Sequence, residues 1–296
     1  MQEHYYKEAL TAEIFSIISK AAESMQVKTY VIGGYVRDFI LERGEVKDID
    51  VVAVGSGIEL AKEVANLLPN KPKVQVFKTY GTAMLRFNDV EIEFVGARKE
   101  SYSEKSRNPE VCEGTLEEDQ NRRDFTINAL ALSLNKEDFG LLLDPFGGIS
   151  DMESKILKTP LDPDVTYSDD PLRMMRAIRF ATQLNFTIEK ESMDAIAKNV
   201  ERIEIITKER MMDELHKIMC SKTPSIGFLL LEKTGLLHRI LPELTDLKGI
   251  DEQEGQKHKD NFSSEQPKVI ALRPIGQISH LMRRAAPRLT AVGAHR

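Results

Sequence analysis

The stretch that decides the fold runs from Thr29 to Asp50, and it reads Thr29-Tyr30-Val31-Ile32-Gly33-Gly34-Tyr35-Val36-Arg37-Asp38, then Asp48-Ile49-Asp50. The run 29–32 predicts a short buried strand that ends at two glycines. Residues 36–42 predict a helix, which Gly44 ends, and residues 49–54 predict a second strand. The sequence therefore predicts a strand–turn–helix–strand unit.

This unit has the residue types of a metal-assisted phosphate site. A Gly33-Gly34 turn into a helix leaves backbone N–H groups free to bind phosphate, and Arg37 in the first turn is placed to reach the same phosphates. Asp48 and Asp50 lie two apart on one strand, so both carboxylates face the same side. Hard oxygen ligands of this kind suit Mg²⁺, with one ion activating an attacking hydroxyl and another neutralising leaving pyrophosphate. Alternatively, Gly-Gly is an ordinary turn, and Asp48 forms a surface pair with Lys47.

The surrounding sequence predicts an α+β domain, because strands and helices mix without regular βαβ repetition. Residues 101–114 are polar and predict a mobile loop, and Thr115-x-x-Glu118 is a capping box predicted to open a helix through about Asn128. The other predicted elements are helices at 6–25 and 58–68, a strand at 74–77, and hairpins of 82–87 with 90–95 and of 130–134 with 141–143. From Asp151 to about Leu247 nearly everything is predicted to be helical.

Three further groups of polar residues are candidates for the site. Glu91 and Glu93 share one face of a predicted strand, which for Glu91 we interpret as a solvent-facing surface. The triplet Arg122-Arg123-Asp124 has the composition of a phosphate contact, although such triplets are usually solvated helix faces with an intrahelical pair. Asp170 before Pro171 is predicted to be a helix N-cap. The helix that follows carries Arg173, Arg176 and Arg179 on one stripe, typical either of a solvated face or of a wall towards polyphosphate or RNA.

These motifs, in this order, resemble the bacterial-type (class II) CCA-adding tRNA nucleotidyltransferase and poly(A) polymerase family. The resemblance covers roughly residues 25–262 and rests on Gly-Gly-x-Val-Arg-Asp with Asp-x-Asp, on the octet Arg122–Ala129, and on the segment Asp169–Phe180. The family usually has glutamate where this chain has Asp169. The resemblance implies a nucleotidyltransferase catalytic head with a mixed sheet at residues 1–150, and a helical neck and partial body at 151–262.

The resemblance also implies roles for individual residues. Asp48 and Asp50 would hold the catalytic metals, and Glu93 would serve as a third ligand or as a proton acceptor. Asp170 would accept a hydrogen bond from the exocyclic amine of cytosine or adenine, while Arg173 would donate to the ring, so that U and G are rejected without a template. The triphosphate and sugar would be held by Gly33, Gly34, Arg37, Arg123, Asn128, Arg176 and Arg179.

The implied reaction is the addition of C and A to the 3′ end of tRNA from CTP and ATP, with Mg²⁺ as cofactor and pyrophosphate as the product. Two alternatives stay open at this point. Poly(A) polymerases share the same head and neck, and a chain of this kind could also be a non-catalytic RNA-binding remnant.

Composition adds the cellular context. The net charge of −6 argues against a sequence-blind nucleic-acid coat protein. Two widely spaced cysteines, no secretory signal and no membrane-length apolar run predict a cytoplasmic protein. The oligomeric state is not predicted.

The C-terminal segment departs from the family. The residues from His258 to Phe262 resemble the entry to a fused helical phosphohydrolase-like domain, but no partner ligands follow, so we predict no metal at His258. Residues 263–296 carry a net charge of +5 against −11 for the rest. They are predicted to be a disordered basic tail that arose by truncation or a frame change, or else a natural segment that contacts RNA.

Overall fold

The computed structural model describes residues 4–44, 48–103, 106–245, 252–253 and 256–257, and the side chains of 101–110 and of the last two pairs are not discussed. The chain divides into two compact units, Met1–Pro242 and Glu243–Arg296. In the second unit the described strands are β12 (Glu252–Gln253) and β13 (Gln256–Lys257), which pair in antiparallel fashion. His258 and the predicted basic tail lie outside the described residues. The predicted boundary at residue 150 stays a prediction.

The first half of the larger unit mixes helices and strands. Its elements are α1 (Glu13–Met25), β1 (Thr29–Ile32), α2 (Gly34–Ile40), β2 (Asp48–Ala53), α3 (Gly57–Leu67), β3 (Gln75–Phe77), β4 (Thr82–Phe87), β5 (Val90–Gly96), β6 (Arg98–Ser103), β7 (Ser106–Glu113), α4 (Leu116–Asn121), β8 (Ala131–Ser133) and β9 (Leu142–Leu143). Short 3₁₀ turns span Lys7–Leu10, Lys78–Tyr80 and Thr126–Asn128. The predicted strand–turn–helix–strand unit is confirmed.

Seven strands form one sheet in the order β3-β4-β5-β2-β1-β8-β9. Strands β2 and β5 are parallel, whereas the other neighbouring pairs are antiparallel. The predicted α+β class with a mixed sheet is therefore confirmed. Both predicted hairpins are present, and the second one closes the β8–β9 edge of the sheet.

The two faces of the sheet differ in character. One face is apolar, and helix α3 covers it, with α1 packed on α3; its buried side chains include Ile49, Val51, Leu85, Ile92 and Phe94. The opposite face holds a small apolar cluster of Tyr30, Ile32, Val52, Ala97 and Ala131, and beyond it the face is open. Asp48 and Asp50 lie on this open part, since they alternate with the buried Ile49 and Val51.

Two sequence-based predictions in this half were wrong. The predicted loop 101–114 is largely a β6–β7 hairpin, paired from Arg98↔Glu113 to Ser103↔Ser106. This pair forms a separate two-stranded sheet, and Val111 on it is half exposed. Its sequence therefore lacks the alternation of apolar and polar residues that predicts a half-buried strand. The capping box of Thr115 and Glu118 is confirmed, but its helix ends at Asn121. Asp124 then accepts hydrogen bonds from Phe125 N and Asn128 Nδ2, which compete with continued helix.

The second half of the larger unit is mostly helical, as predicted. Its helices are α5 (Gly148–Glu153), α6 (Pro163–Asp169), α7 (Leu172–Leu184), α8 (Lys190–Asn199), α9 (Lys208–Met219), α10 (Pro224–Lys233) and α11 (Leu236–Ile240), and α12 (Pro242–Thr245) follows. A 3₁₀ turn spans Val200–Ile205, and a short parallel pair joins β10 (Ile156–Leu157) to β11 (Thr187–Ile188). Helix α7 packs against α9 and α10. Among the helices described, none is long and apolar enough to span a bilayer.

Candidate active site

A row of carboxylates crosses the open face of the sheet. Strands β2 and β5 pair in parallel with Asp48 opposite Glu91 and Asp50 opposite Glu93. Residues in register on neighbouring strands point to the same face, so four acidic side chains share one surface. Glu91 pairs with Arg86 of β4, which gives it a surface partner. The predicted adjacency of Asp48, Asp50 and Glu93 is thus present in the fold.

Crowding around Asp50 changes its proton affinity. Desolvation has the largest effect and raises the pKa of Asp50, the charge of Arg123 opposes it, and the charges of Glu93, Asp48 and Asp119 raise it further. Such a cluster favours a bound cation, because a cation relieves the repulsion between the carboxylates. In the part of the chain that the structure describes, no three His, Cys, Asp or Glu side chains form a ready-made metal cage. The carboxylates of Asp48 and Asp50 are hard oxygen donors, and such a pair fits a divalent cation whose other ligands come from substrate phosphates and water.

The glycine pair brings the backbone close to this row. Gly33 has φ +81°, and a Cβ there would lie 3.2 Å from Arg123 Nη1 and 3.4 Å from Asp50 Oδ2. A side chain at this position would be strained and would also occupy the space between a carboxylate and a guanidinium. Gly34 starts α2 without such crowding. The structure thus places Gly33, Asp50 and Arg123 together.

Arg123 is held in place by a buried carboxylate. Its Nε and Nη2 donate to Asp119 Oδ2 over 3.3 and 3.0 Å, and Asp119 is fully buried. The other oxygen of Asp119 binds Arg122, which also contacts Glu100 at 3.1 Å. Since two of its nitrogens are fixed, Arg123 presents Nη1 towards Gly33 and Asp50. Arg123 lies beyond the end of α4, so its pair with Asp119 is not the solvated intrahelical pair weighed for this triplet, and it orients the arginine inside the protein.

Arg37 lies deeper than the sequence predicts. It is buried, and its Nε and Nη2 donate to the carboxylate of Asp38 over 2.9 and 2.7 Å. Its Nη1 donates to Asn128 Oδ1 over 2.6 Å. These three bonds use three of the five N–H groups of the guanidinium, so Arg37 is anchored within the protein.

Asp124 links this region to helix α7. Its Oδ1 accepts from Asn128 Nδ2 at 2.9 Å, and its Oδ2 accepts from Arg176 Nε at 2.7 Å. Burial has the largest effect on the pKa of Asp124 and would raise it. The charge of Arg176, the hydrogen bond from Asn128 and the charge of Arg173 together outweigh burial and hold the pKa at about 2. A continuous polar chain thus runs from Asp38 through Arg37, Asn128 and Asp124 to Arg176.

An aromatic ring organises the arginines around this chain. Phe180 packs edge-on against Phe125, with ring centroids 5.7 Å apart. The guanidinium carbons of Arg37, Arg176 and Arg179 lie 4.9, 5.4 and 4.1 Å from the centroid of Phe180. Arg179 also forms an ion pair with the buried Glu214 of α9, with 2.6 Å between Nε and Oε2. The predicted stripe of arginines therefore points into the protein and not to a solvated helix face.

Asp170 and Arg173 stand at the start of α7. The helix begins at Leu172, one residue later than predicted, yet Asp170 Oδ1 accepts from Leu172 N over 3.2 Å. Arg173 Nη2 donates to the carbonyl oxygen of Arg122 over 2.6 Å. This bond ties the predicted base-selecting residue to the segment that carries Arg123. The roles of Asp170 and Arg173 towards a base stay predictions.

Several residues that shape the site were missed by sequence reasoning. Asp119 and Glu214, which hold Arg123 and Arg179, were not among the candidates, and Asp124 was named only within its triplet, without its partner Arg176. Asp119 could have been found, because it lies four residues before Arg123 behind a capping box. The partners of Arg176 and Arg179 come from distant segments, and nothing in the local sequence indicates them.

Two family models match the chain. Residues 29–158 match the poly A polymerase head domain, and residues 185–248 match a region described as the probable RNA and SrmB-binding site of polymerase A.

The relatives include A-adding tRNA nucleotidyltransferases and CCA-adding enzymes that are longer than this chain. The A-adding tRNA nucleotidyltransferase of Aquifex aeolicus is 40% identical over 191 residues, which cover 64% of this chain and 23% of the relative. The CCA-adding enzyme of a Geobacillus species is 38% identical over 221 residues, or 74% of this chain and 52% of the relative. A solved tRNA nucleotidyltransferase complexed with a primer tRNA and an incoming ATP analogue has a TM-score of 0.66 and 32% identity, over 80% of this chain and 64% of that one. The chain thus spans between about a quarter and about two thirds of these relatives.

The buried charge of Asp124 predicts a distinctive acid response. A carboxyl whose pKa falls from 3.8 to about 2 on folding adds about 2 kcal/mol of stability above pH 4, and this stability is lost as the pH falls towards 2. We expect the unfolding free energies of the wild type and of Asp124→Asn to differ most near neutral pH and to converge by about that amount between pH 5 and pH 2. Urea unfolding measured across this pH range checks the prediction.

Asp164→Asn is the matched control, because Asp164 also has a lowered pKa but pairs with Lys198 at the surface. Its curve should stay nearly parallel to that of the wild type. A parallel curve for Asp124→Asn as well would contradict the assignment of Asp124 as a buried ionised group.

Proposed function

Since the chain belongs to the CCA-adding enzyme and poly(A) polymerase family, we propose that it adds C and A nucleotides to the 3′ end of tRNA from CTP and ATP, without a template. The names of the relatives support this activity, and the tRNA-bound and ATP-analogue-bound neighbour supports the substrates. The proposed reaction takes place in the cytoplasm.

The observation that carries the proposal is the grouping of Asp48 and Asp50 beside Gly33 and Arg123. Two carboxylates on one rigid strand supply hard oxygen ligands, and Arg123 Nη1 adds a positive group within the same space. We assign Mg²⁺ to Asp48 and Asp50. When bound there, the ion would supply charge neutralisation on the phosphates and a lower pKa for the attacking hydroxyl.

The chain's own residues then position the reactants. The 3′-hydroxyl oxygen of the RNA forms a bond to the α-phosphorus of the nucleotide, the bond from that phosphorus to the bridging oxygen breaks, and pyrophosphate leaves. Glu93, beside Asp50, is the candidate acceptor of the hydroxyl proton. Gly33 and Gly34 allow close approach of the triphosphate, and Arg123 contacts it directly. Catalysis of this kind depends on positioning and charge stabilisation.

The remaining arginines act less directly in this proposal. Arg37, Arg176 and Arg179 are bound to carboxylates and packed on Phe180, so they contribute positive potential and a rigid wall to the triphosphate site. Asn128 is held between Arg37 and Asp124, which fixes its amide for the sugar pocket.

Base selection is assigned to Asp170 and Arg173. Cytosine and adenine both carry an exocyclic amine that a carboxylate can accept from, whereas uracil and guanine present a carbonyl at that place. One carboxylate oxygen of Asp170 accepts a hydrogen bond from Leu172 N, and Arg173 donates a hydrogen bond to the carbonyl oxygen of Arg122. Both side chains are thereby held at the start of one helix, which suits a fixed hydrogen-bonding pair.

A poly(A) polymerase is the second candidate, because the family model matched by residues 29–158 carries that name. The two activities differ in the nucleotides incorporated. They can therefore be separated by one assay.

We expect the wild type to extend tRNA transcripts that end before CCA with C and then A, and to stop at CCA. Asp48→Ala should lower the incorporation rate by roughly 100-fold or more, because it removes a metal ligand. Asp89→Ala, on the exposed turn between β4 and β5, is the control and should keep the wild-type rate. Labelled CTP, ATP, UTP and GTP with transcripts ending before, within and after CCA give the measurement. Long runs of A alone would support the poly(A) alternative, and normal incorporation by Asp48→Ala would overturn the site.

Asp170→Asn tests base selection, since an amide can both donate and accept. We expect the preference for CTP over UTP, measured as the ratio of kcat/KM values, to fall by roughly 10- to 100-fold. Asp169→Asn, one residue earlier, is the comparison variant and should retain more of the preference. An unchanged ratio for Asp170→Asn would remove this residue from the base-reading pair.

A further inference from the structure

One edge of the sheet carries exposed aromatic and basic side chains that the proposed reaction does not use. Strand β3 is the outermost strand, and each of its residues is exposed. Phe77 is 43% exposed and Tyr80, in the following 3₁₀ turn, is 71% exposed. From residue 69 to residue 88 the chain has four basic residues and no acidic one, whereas the net charge of the whole chain is −6.

This edge continues into the carboxylate row. The register runs from Gln75 to Met84 of β4, to Glu93 of β5 and to Asp50 of β2. A shallow cleft on this face is lined by Lys73, Gln75, Met84, Arg86 and Glu91. Phe77 lies two residues beyond Gln75, so it faces the same side. Three strand spacings separate β3 from β2, about 14 Å, which an extended nucleic-acid strand of a few nucleotides can cross.

We propose that Lys73, Gln75, Phe77, Lys78 and Tyr80, the edge surface, bind the single-stranded 3′ segment of the RNA substrate next to the carboxylates. Proteins that hold single strands combine aromatic rings, on which bases stack, with basic groups along the backbone. The edge surface has both, and its charge is opposite to that of RNA. The identity of the RNA rests on the proposed function. The surface is separate from residues 185–248, which match the RNA-binding family model.

Protection of the edge and self-association are the two alternatives to RNA binding, and each predicts a different outcome. Lysines often protect an edge strand from pairing with other chains, but protection does not require exposed aromatic rings beside them. A second copy of the chain could pair with β3. In that case the aromatic residues would affect the oligomeric state and leave RNA affinity unchanged.

The test measures the affinity of the full chain for a fluorescent single-stranded RNA ending in CC, by anisotropy and without nucleotide. We expect Phe77→Leu with Tyr80→Leu to weaken binding by roughly 10-fold or more. Lys73→Glu with Lys78→Glu should also weaken it and should lower the dependence of affinity on salt. In extension assays both double variants should raise the KM for RNA while leaving kcat and the KM for CTP near wild-type values.

Lys20→Glu with Lys62→Glu, on helices α1 and α3, makes the same change in net charge away from the open face and should bind RNA as the wild type does. Wild-type affinity in both edge variants would overturn the proposal. So would a wild-type dimer that the aromatic variant converts to a monomer with unchanged RNA affinity. Because binding is measured without nucleotide, a protein that binds RNA at this edge but incorporates nothing would count against the proposed function alone.

Discussion

The parallel pairing of β2 with β5 is the constraint on which the site depends. It places Asp48, Asp50, Glu91 and Glu93 on one face. Desolvation raises the pKa of Asp50 most, and the charges of Glu93 and Asp48 raise it further. Four neighbouring carboxylates would destabilise a buried sheet face. Their repulsion is relieved where the face is open to water and a cation can bind. The neighbouring features follow from this requirement. Gly33 leaves room beside Asp50, and Asp119 directs Arg123 towards the same space.

A second layer of charges holds the arginines. Asp38, Asp124 and Glu214 pair with Arg37, Arg176 and Arg179, and the three guanidiniums surround Phe180. Breaking a buried pair leaves an uncompensated charge. The pair of Asp124 with Arg176 joins the segment after α4 to helix α7, and the pair of Arg179 with Glu214 joins α7 to α9. The arginines can thus be divided into two groups, those that contact the substrate and those that position the contacting residues. In the proposed mechanism, Arg123 belongs to the first group and Arg37 belongs to the second.

Local sequence was sufficient for the strand–turn–helix–strand unit, because the run 29–32 and the two glycines specify their own conformations. It also specified the capping box at Thr115 and the hairpin of 82–87 with 90–95. It failed for the β6–β7 hairpin, whose polar sequence shows no apolar alternation. It also failed for the partners of the arginines, since Asp124 and Arg176 are 52 residues apart and meet only through the tertiary fold. The family resemblance named residues that the structure brings together, such as Asp50 and Arg123, but it did not indicate which arginines are already paired.

The most direct test of the central claim is anomalous diffraction from crystals soaked with Mn²⁺ and a non-hydrolysable CTP analogue. We expect a manganese peak bound by the carboxylates of Asp48 and Asp50 and by phosphate oxygens, with Arg123 Nη1 against the triphosphate. A bound analogue without metal at these two carboxylates, or with its triphosphate away from Gly33, would contradict it.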